Sequence, residues 1–207
     1  MSSFRVKKTA KKKLDILRSA AAVLAEKGYQ GTTMEEIAAR LLMTKGSMYY
    51  YFKNKDDLLY HCHQMIMEIS LERIEQVVNS DLNPVEKLRS AIKGHILLAT
   101  SEKSMFMVVG IPKQNFSDTE FQEMLKLRKS YSQFIDRIIV EGIDNQVFDS
   151  VDVRMVRMII LGALNSIQEW YDQGGPQSAD EISEAYADYL LKIVVKEEIL
   201  SKLKVDK

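Results

Sequence analysis

One cysteine, three prolines and one tryptophan are spread over 207 residues, and no uncharged apolar run approaches the length of a membrane span. Each scarcity excludes something. A single thiol rules out an internal disulfide framework and fits a reducing compartment. A transmembrane helix needs roughly 20 predominantly apolar residues, so no membrane partner is expected. The opening MSSFRVKKTAKKKLD is basic but has no apolar stretch with a small-residue cleavage site behind it, so the expected location is cytoplasmic. With so few prolines, and apolar residues recurring at three and four rather than two, nothing reads as a sheet.

Catalytic motifs are missing too. There is no G-x-S-x-G, Walker loop, H-E-x-x-H or dinucleotide fingerprint, and three histidines with one cysteine offer few nucleophile–base pairs. No catalytic residue, no enzymatic activity and no cofactor are expected. His61-Cys62-His63 holds metal-binding residue types, but successive helical side chains point about 100° apart and cannot converge on one ion, so no metal site is expected.

What is present is an ordinary soluble composition, 46% hydrophobic and 28% charged, which rules out disorder throughout. A net charge of zero hides an asymmetry. Residues 1–60 carry 12 Lys and Arg against 6 Asp and Glu, while the remaining 147 carry 17 against 23. The basic front suits a polyanion and the acidic body does not. Half of the front's basic residues are Arg5, Lys7, Lys8, Lys11, Lys12 and Lys13, which also fit a solvated tail.

Helix starts are legible. Thr33–Glu36, Ser117–Glu120 and Ser178–Glu181 match the capping box, in which a hydroxyl accepts from the backbone three residues on and a glutamate reaches back. Asn83 before Pro84 and Asn54 before Lys55-Asp56-Asp57 are further caps. Leu14, Leu17, Ala21 and Leu24 form one stripe, stopped by Gly28. The pattern predicts an all-α chain of about nine helices, near 9–27, 34–41, 45–51, 55–79, 84–101, 103–111, 118–141, 152–172 and 179–203. Linkers fall at 79–83, 112–116, 142–151 and 173–177.

The stretch TTMEEIAARLLMTKGSMYYYFKNKDDLL, residues 32 to 59, reads as a short helix, a tight connection, a second short helix and a capped third. Met34, Ile37, Ala38 and Leu41 give the first an inward face. Met48 and Phe52, four apart, point the second to the core. Its other face carries Thr44, Lys45, Ser47, Tyr50 and Tyr51, which are hydroxyls, an ammonium and aromatics suited to phosphates and base edges. Gly46 lets the backbone approach a phosphate.

These residues resemble the helix-turn-helix of the tetracycline-repressor (TetR) family of bacterial transcription regulators, closely over about residues 10 to 60. The resemblance rests on Ala25–Tyr29, Thr32–Ala38, Thr44–Phe52 and Asn54–Leu59. It implies a three-helix DNA-binding domain at residues 1–55 and a larger helical ligand-sensing and dimerising domain at 56–207. By the same resemblance, Thr33 and Lys55 hold phosphates at two helix starts. Lys45, Ser47, Tyr49 and Tyr50 face the major groove or its flanking phosphates, and Thr44 and Gly46 lie against the DNA backbone. Tyr49 also reads as partly core, and Lys55 as a solvated charge. Family members usually have a small residue and a glycine where this chain has Leu41 and Leu42. A leucine with positive φ in that turn costs about 1–2 kcal/mol.

Beyond residue 60, His95, Met105, Phe106, Val109, Phe116, Phe121, Met124, Tyr131 and Phe134 are candidates to line an apolar ligand cavity, or simply to form core. Arg128 is a candidate partner for an anionic ligand or a surface ion pair. The helix 152–172 is apolar on more than one face, which calls for burial on two sides. Val156, Ile160, Ala163 and Ile167, with Tyr186 and Tyr189 of the last helix, are therefore assigned to a homodimer interface, as in the family. The run through Gly162–Asn165, Trp170-Tyr171, Gly174–Pro176 and Ser178 looks like the TetR members that sense coenzyme-A thioesters, which adds Asn165 and Trp170 to the ligand set. The expected function is a repressor that binds an inverted-repeat DNA operator and is released by a long apolar ligand such as an acyl-CoA. The alternatives are a TetR-type regulator of an efflux or stress gene sensing a small xenobiotic, and an apolar-ligand carrier without DNA binding.

Overall fold

The computed structural model describes residues 3–109 and 116–205, with side chains over 11–108 and 116–201. The side chains of Arg5, Lys7, Lys8 and Val109, and the predicted linker from Pro112 to Asn115, lie outside the described residues. Among the described residues there are eleven α-helices and no strand. None of these helices is long and apolar enough to cross a membrane. The chain divides into two compact units, Met1–Met67 with Glu102–Leu125, and Glu68–Ser101 with Lys126–Lys207. Helices α4 (Lys55–Val78) and α7 (Asp118–Asp144) contribute residues to both.

In the first unit, α1 (Ser3–Lys27) buries Ile16, Leu17, Ala20, Ala21, Val23 and Leu24 along one stripe. Gly28 ends it at φ +73°, its N–H donating to the Leu24 carbonyl, a left-handed geometry that glycine adopts without a Cβ penalty. Packed against α1 are α2 (Met34–Arg40) and α6 (Lys103–Val109), and α2 packs against α3 (Lys45–Tyr51). The Arg18 guanidinium pairs with Glu102, and the Tyr60 hydroxyl of α4 donates to Glu123 of α7. Leu58, Leu59, Cys62, His63 and Ile66 of α4 are buried. The Cys62 thiol faces the Leu17 carbonyl at 3.5 Å, and burial pushes its pKa up, so it is not a reactive thiolate.

In the second unit, α5 (Pro84–Ser101) buries Leu88, Ala91, Ile92, His95, Ile96 and Ala99, and packs along α10 (Ala179–Leu191). Arg89 pairs with Glu184 and Asp188, and Lys93 pairs with Glu184, along that seam. The ammonium of the buried Lys87 is held by both carboxylate oxygens of Glu141, at 2.9 and 3.1 Å.

All three capping boxes form, at Thr33–Glu36, Ser117–Glu120 and Ser178–Glu181. The Asn54 and Asn83 caps form too. Two predicted helices are shorter than expected. The 152–172 helix is two pieces, α8 (Val153–Asn165) and α9 (Ile167–Trp170). Ser166 lies between them with its hydroxyl donating to the Ala163 carbonyl, competing with the helical ladder, and Tyr171 leaves in an extended conformation. The 179–203 helix divides into α10 and α11 (Glu197–Val205). Between them, Asp149 N–H donates to the Val194 carbonyl and Lys196 N–H to the Val147 carbonyl, an antiparallel bridge that takes the backbone out of helix. The linker expected from 142 starts later, because α7 continues to Asp144.

Candidate functional site

The first unit carries a helix-turn-helix. Thr33 caps α2, its hydroxyl accepting from Glu36 N–H while the Glu36 carboxylate accepts from Thr33 N–H. The α2 C-terminus closes with Leu42 N–H donating to Ala39 O at 3.0 Å and Met43 N–H to Ala38 O at 2.8 Å. This pair of bonds is the Schellman arrangement, which places its C′ residue in the left-handed region. That residue is Leu42, at φ +53°, so the strain anticipated from the sequence is present. Thr44 then caps α3, accepting from Ser47 N–H.

Met48 and Phe52 are both fully buried, and this sets the rotation of α3. Thr44, Lys45, Gly46, Ser47, Tyr49 and Tyr50 are consequently all exposed, Tyr50 at 80%. Tyr51 is half-buried, its ring edge-on to Tyr50 with centroids 5.1 Å apart. The Lys45 ammonium lies 2.6 Å from a Glu35 carboxylate oxygen and 5.7 Å from the Tyr49 ring centroid. The carboxylate holds the Lys45 pKa above, and the ammonium holds the Glu35 pKa below, their ordinary values. On an exposed surface such a pair exchanges partners at little cost.

Lys55 is placed differently from the α3 residues. It is half-buried, and its ammonium donates to the backbone carbonyls of Tyr29 at 2.6 Å and Thr32 at 2.9 Å. It also lies over the Tyr29 ring, 3.9 Å from the centroid. Neither the solvated charge nor a purely phosphate-facing one matches this geometry; two of the three ammonium donors fix the α1–α2 turn. Thr33, by contrast, is exposed at the start of α2.

The residues expected to line a ligand cavity are divided between the units. In the first, Met105, Phe106 and Met124 are buried in its core, and Phe116 and Phe121 are half-buried. In the second, His95 and Tyr131 share a hydrogen bond at 3.0 Å and line a cavity of about 30 Å³ with Ser70, Arg73, Ile74 and Leu98 among its other walls. That volume holds a water or two. Burial depresses the His95 imidazole to about 4 and pushes the Tyr131 phenol up, so both are neutral at pH 7. Arg128 and Phe134 are half-buried on α7, and desolvation lowers the Arg128 pKa. Asn165 and Trp170 are exposed and do not line this cavity; the Trp170 ring stacks on Tyr186 instead, with centroids 6.2 Å apart.

The residues assigned to a dimer interface divide by face. Val156, Ile160 and Ile167 are buried within the second unit, Ala163 and Tyr186 are half-buried, and Tyr189 is exposed. The outward apolar face of α8 is the adjacent one, Met155, Met158 and Ile159, which the sequence assignment leaves out. Ile193, just past α10, and Trp170 are exposed as well. The sequence signal is the second apolar stripe of α8, whose orientation needs the fold. Among the described residues no group of three or more metal-ligating side chains converges.

Comparison with known proteins bears on both units. A family model described as "Tetracyclin repressor-like, C-terminal domain" matches residues 81–194, and one described as "Bacterial regulatory proteins, tetR family" matches residues 16–62. The chain is 28% identical over 167 residues to the fatty acid metabolism regulator protein of Bacillus subtilis (strain 168), spanning 80% of this chain and 86% of the relative. The crystal structure of PfmR, a TetR family transcriptional regulator from Thermus thermophilus, matches with a TM-score of 0.80 and 26% identity over 86% of this chain and 97% of that one. AibR, solved in complex with isovaleryl coenzyme A and operator DNA, matches with a TM-score of 0.74 and 27% identity over 87% and 96%.

Proposed function

Because the chain belongs to the TetR family of bacterial transcriptional regulators, we propose that it is a repressor that binds an inverted-repeat operator as a homodimer and leaves it when a long apolar ligand, an acyl-CoA thioester foremost, occupies its C-terminal region. The observation that carries the DNA half is the outward face of α3, with Lys45, Ser47, Tyr49 and Tyr50 presented together because Met48 and Phe52 are buried behind them. The hydroxyls and the ammonium serve phosphates and base edges, and the tyrosine rings serve thymine methyls and sugars. Thr33 and Thr44, the exposed caps of α2 and α3, meet the flanking phosphates, and Lys55 acts behind them by holding the α1–α2 turn. In this reading residues 1–55 bind DNA, and 56–207 sense the ligand and dimerise through Met155, Met158, Ile159 and Tyr189. A two-fold dimer offers its recognition helices to major-groove faces about 34–36 Å apart, which makes the operator an inverted repeat.

The ligand half is supported by the names of the relatives, one a fatty acid metabolism regulator and one solved with isovaleryl coenzyme A, and by the apolar walls around His95 and Tyr131. Drug-sized ligands occupy pockets of roughly 300–1,000 Å³, ten times the present cavity or more. An acyl chain therefore selects a conformation in which that region opens. Such selection is the differential affinity that release from DNA requires. A 100-fold loss of operator affinity corresponds to about 2.7 kcal/mol of coupling. The test is an operator-binding titration against acyl-CoAs of graded chain length, with free coenzyme A and free fatty acids as controls. Release that grows with chain length supports the proposal. Unmoved operator affinity with no thermal shift removes the thioester ligand, and failure to bind any inverted-repeat duplex removes the repressor.

A further inference from the structure

Leu42 combines two unfavourable features that nothing in its own domain offsets. Its backbone sits at φ +53°, where a leucine is strained and a glycine is not. Its side chain is 97% exposed, so it gains no burial in return. The two hydrogen bonds that close the turn, from Leu42 N–H and Met43 N–H, use backbone atoms only and would form equally well around glycine. A strained residue is retained where surrounding interactions over-determine it, and the free protein supplies none to this side chain.

The location names a candidate source. Leu42 lies three residues before Lys45, the first residue of α3, and three residues of chain reach at most about 10 Å. In a helix-turn-helix the N-terminal residues of the second helix approach base edges. An exposed leucine at that distance lies within reach of the groove wall, where sugar carbons and thymine methyls are the apolar surfaces available. We propose that Leu42 is a further DNA-contacting residue, whose isobutyl group packs against the apolar edge of the operator and recovers on binding what the turn loses in the free protein. This rests on the operator-binding reading above and adds to it a residue outside the α3 face.

The experiment uses the full chain and three variants, Leu42→Gly, Leu42→Asn and Leu42→Met, with thermal melts of the free protein and operator titrations at several salt concentrations. Glycine and asparagine both tolerate the left-handed conformation, so each should raise the melting temperature by about 2–4 °C. If Leu42 touches DNA, the same two variants lose about 10-fold in operator affinity. The salt slope stays unchanged, because an apolar contact displaces no counterion. The Leu42→Met variant keeps an apolar side chain and should bind within about 2-fold of the unsubstituted protein. Glycine and asparagine variants that bind as tightly as leucine overturn the inference, as does a loss that follows the salt slope. A shift in the sedimentation of the free protein would assign Leu42 to contact with a second copy and overturn it equally. If the unsubstituted chain binds no duplex, the operator reading fails first; if it binds and the variants match it, only the role of Leu42 fails.

Discussion

The Lys55 ammonium donates to the Tyr29 carbonyl at 2.6 Å while lying 3.9 Å from the centroid of the same residue's ring. One cation thereby fastens the start of α4 to the turn between α1 and α2, and the Tyr29 hydroxyl donates in turn to Asp56, next to Lys55 in sequence. Burial, then that carboxylate, pushes the Tyr29 phenol to about 12, so it remains a donor at any physiological pH.

Lys55→Met should therefore act as a stability mutation. It removes two charge-assisted hydrogen bonds, a loss of roughly 1–3 kcal/mol, and should weaken operator binding without altering its salt dependence. Lys45→Ala should do the reverse, leaving stability within about 1 kcal/mol because its exposed pair with Glu35 contributes little, and lowering the salt slope of operator binding by about one. Urea unfolding and salt-titrated binding separate the two. A slope reduced by Lys55→Met would return that ammonium to a phosphate.

Ile159 and Ile160 are adjacent on α8 and point about 100° apart, which leaves them 53% and 0% exposed. Ile159→Glu should leave the fold intact and convert a dimer to monomer, since a charge buried unpaired in an apolar interface costs several kcal/mol. Ile160→Glu should fail to fold. Sedimentation and circular dichroism read both outcomes, and a persistent Ile159→Glu dimer moves the interface off this face.

His95 makes stability fall on the acid side. Its imidazole stays neutral in the fold down to about pH 4, whereas in the unfolded chain it protonates near 6.5. Between those values the unfolded state binds more protons, so stability is full above the unfolded pKa and declines as pH drops through the window, by roughly 3 kcal/mol in all. His95→Gln should flatten the decline between pH 6.5 and 4 by about that amount in urea titrations. Parallel profiles for the two proteins would show that the ring is hydrated in solution.

Gly142 lies under the Phe148 ring, and a Cβ there would sit 2.1 Å from its Cδ2 atom. Phe148 is fully buried, so the ring has nowhere to retreat. Gly142→Ala gains helix propensity of about 1 kcal/mol, but overpacking should outweigh it and leave a net loss of about 1–2 kcal/mol. A stabilised variant would mean that the ring swings aside.

Where sequence and fold agree, the determinants are local. Thr33, Ser117 and Ser178 reach glutamates three residues on, and Met48 and Phe52 share a face because four residues make about one turn. The strained turn at Leu42 was anticipated only through the resemblance, which implies a glycine at that position, and φ is +53° there. The caps and the shared face depend on spacing along the chain, and no partner from elsewhere is needed to fix them.

The tertiary structure alone decided which of two apolar stripes of α8 points inward, burying Val156 and Ile160 and leaving Met158 and Ile159 outside. It decided that Lys55 bonds carbonyls 26 and 23 residues away, and that the backbone around Val195 pairs with Phe148 instead of continuing a helix. It also brought His95 to Tyr131 from separate helices, leaving Asn165 and Trp170 on the surface. The sequence determined the helical class, the caps and the chemistry exposed on α3, because helical periodicity is a property of neighbours, but not where the 152–172 and 179–203 helices break. The facing of amphipathic elements, the pairing of buried polar groups and the volume of the cavity were set by the fold, because each depends on which distant segment arrives to pack against them.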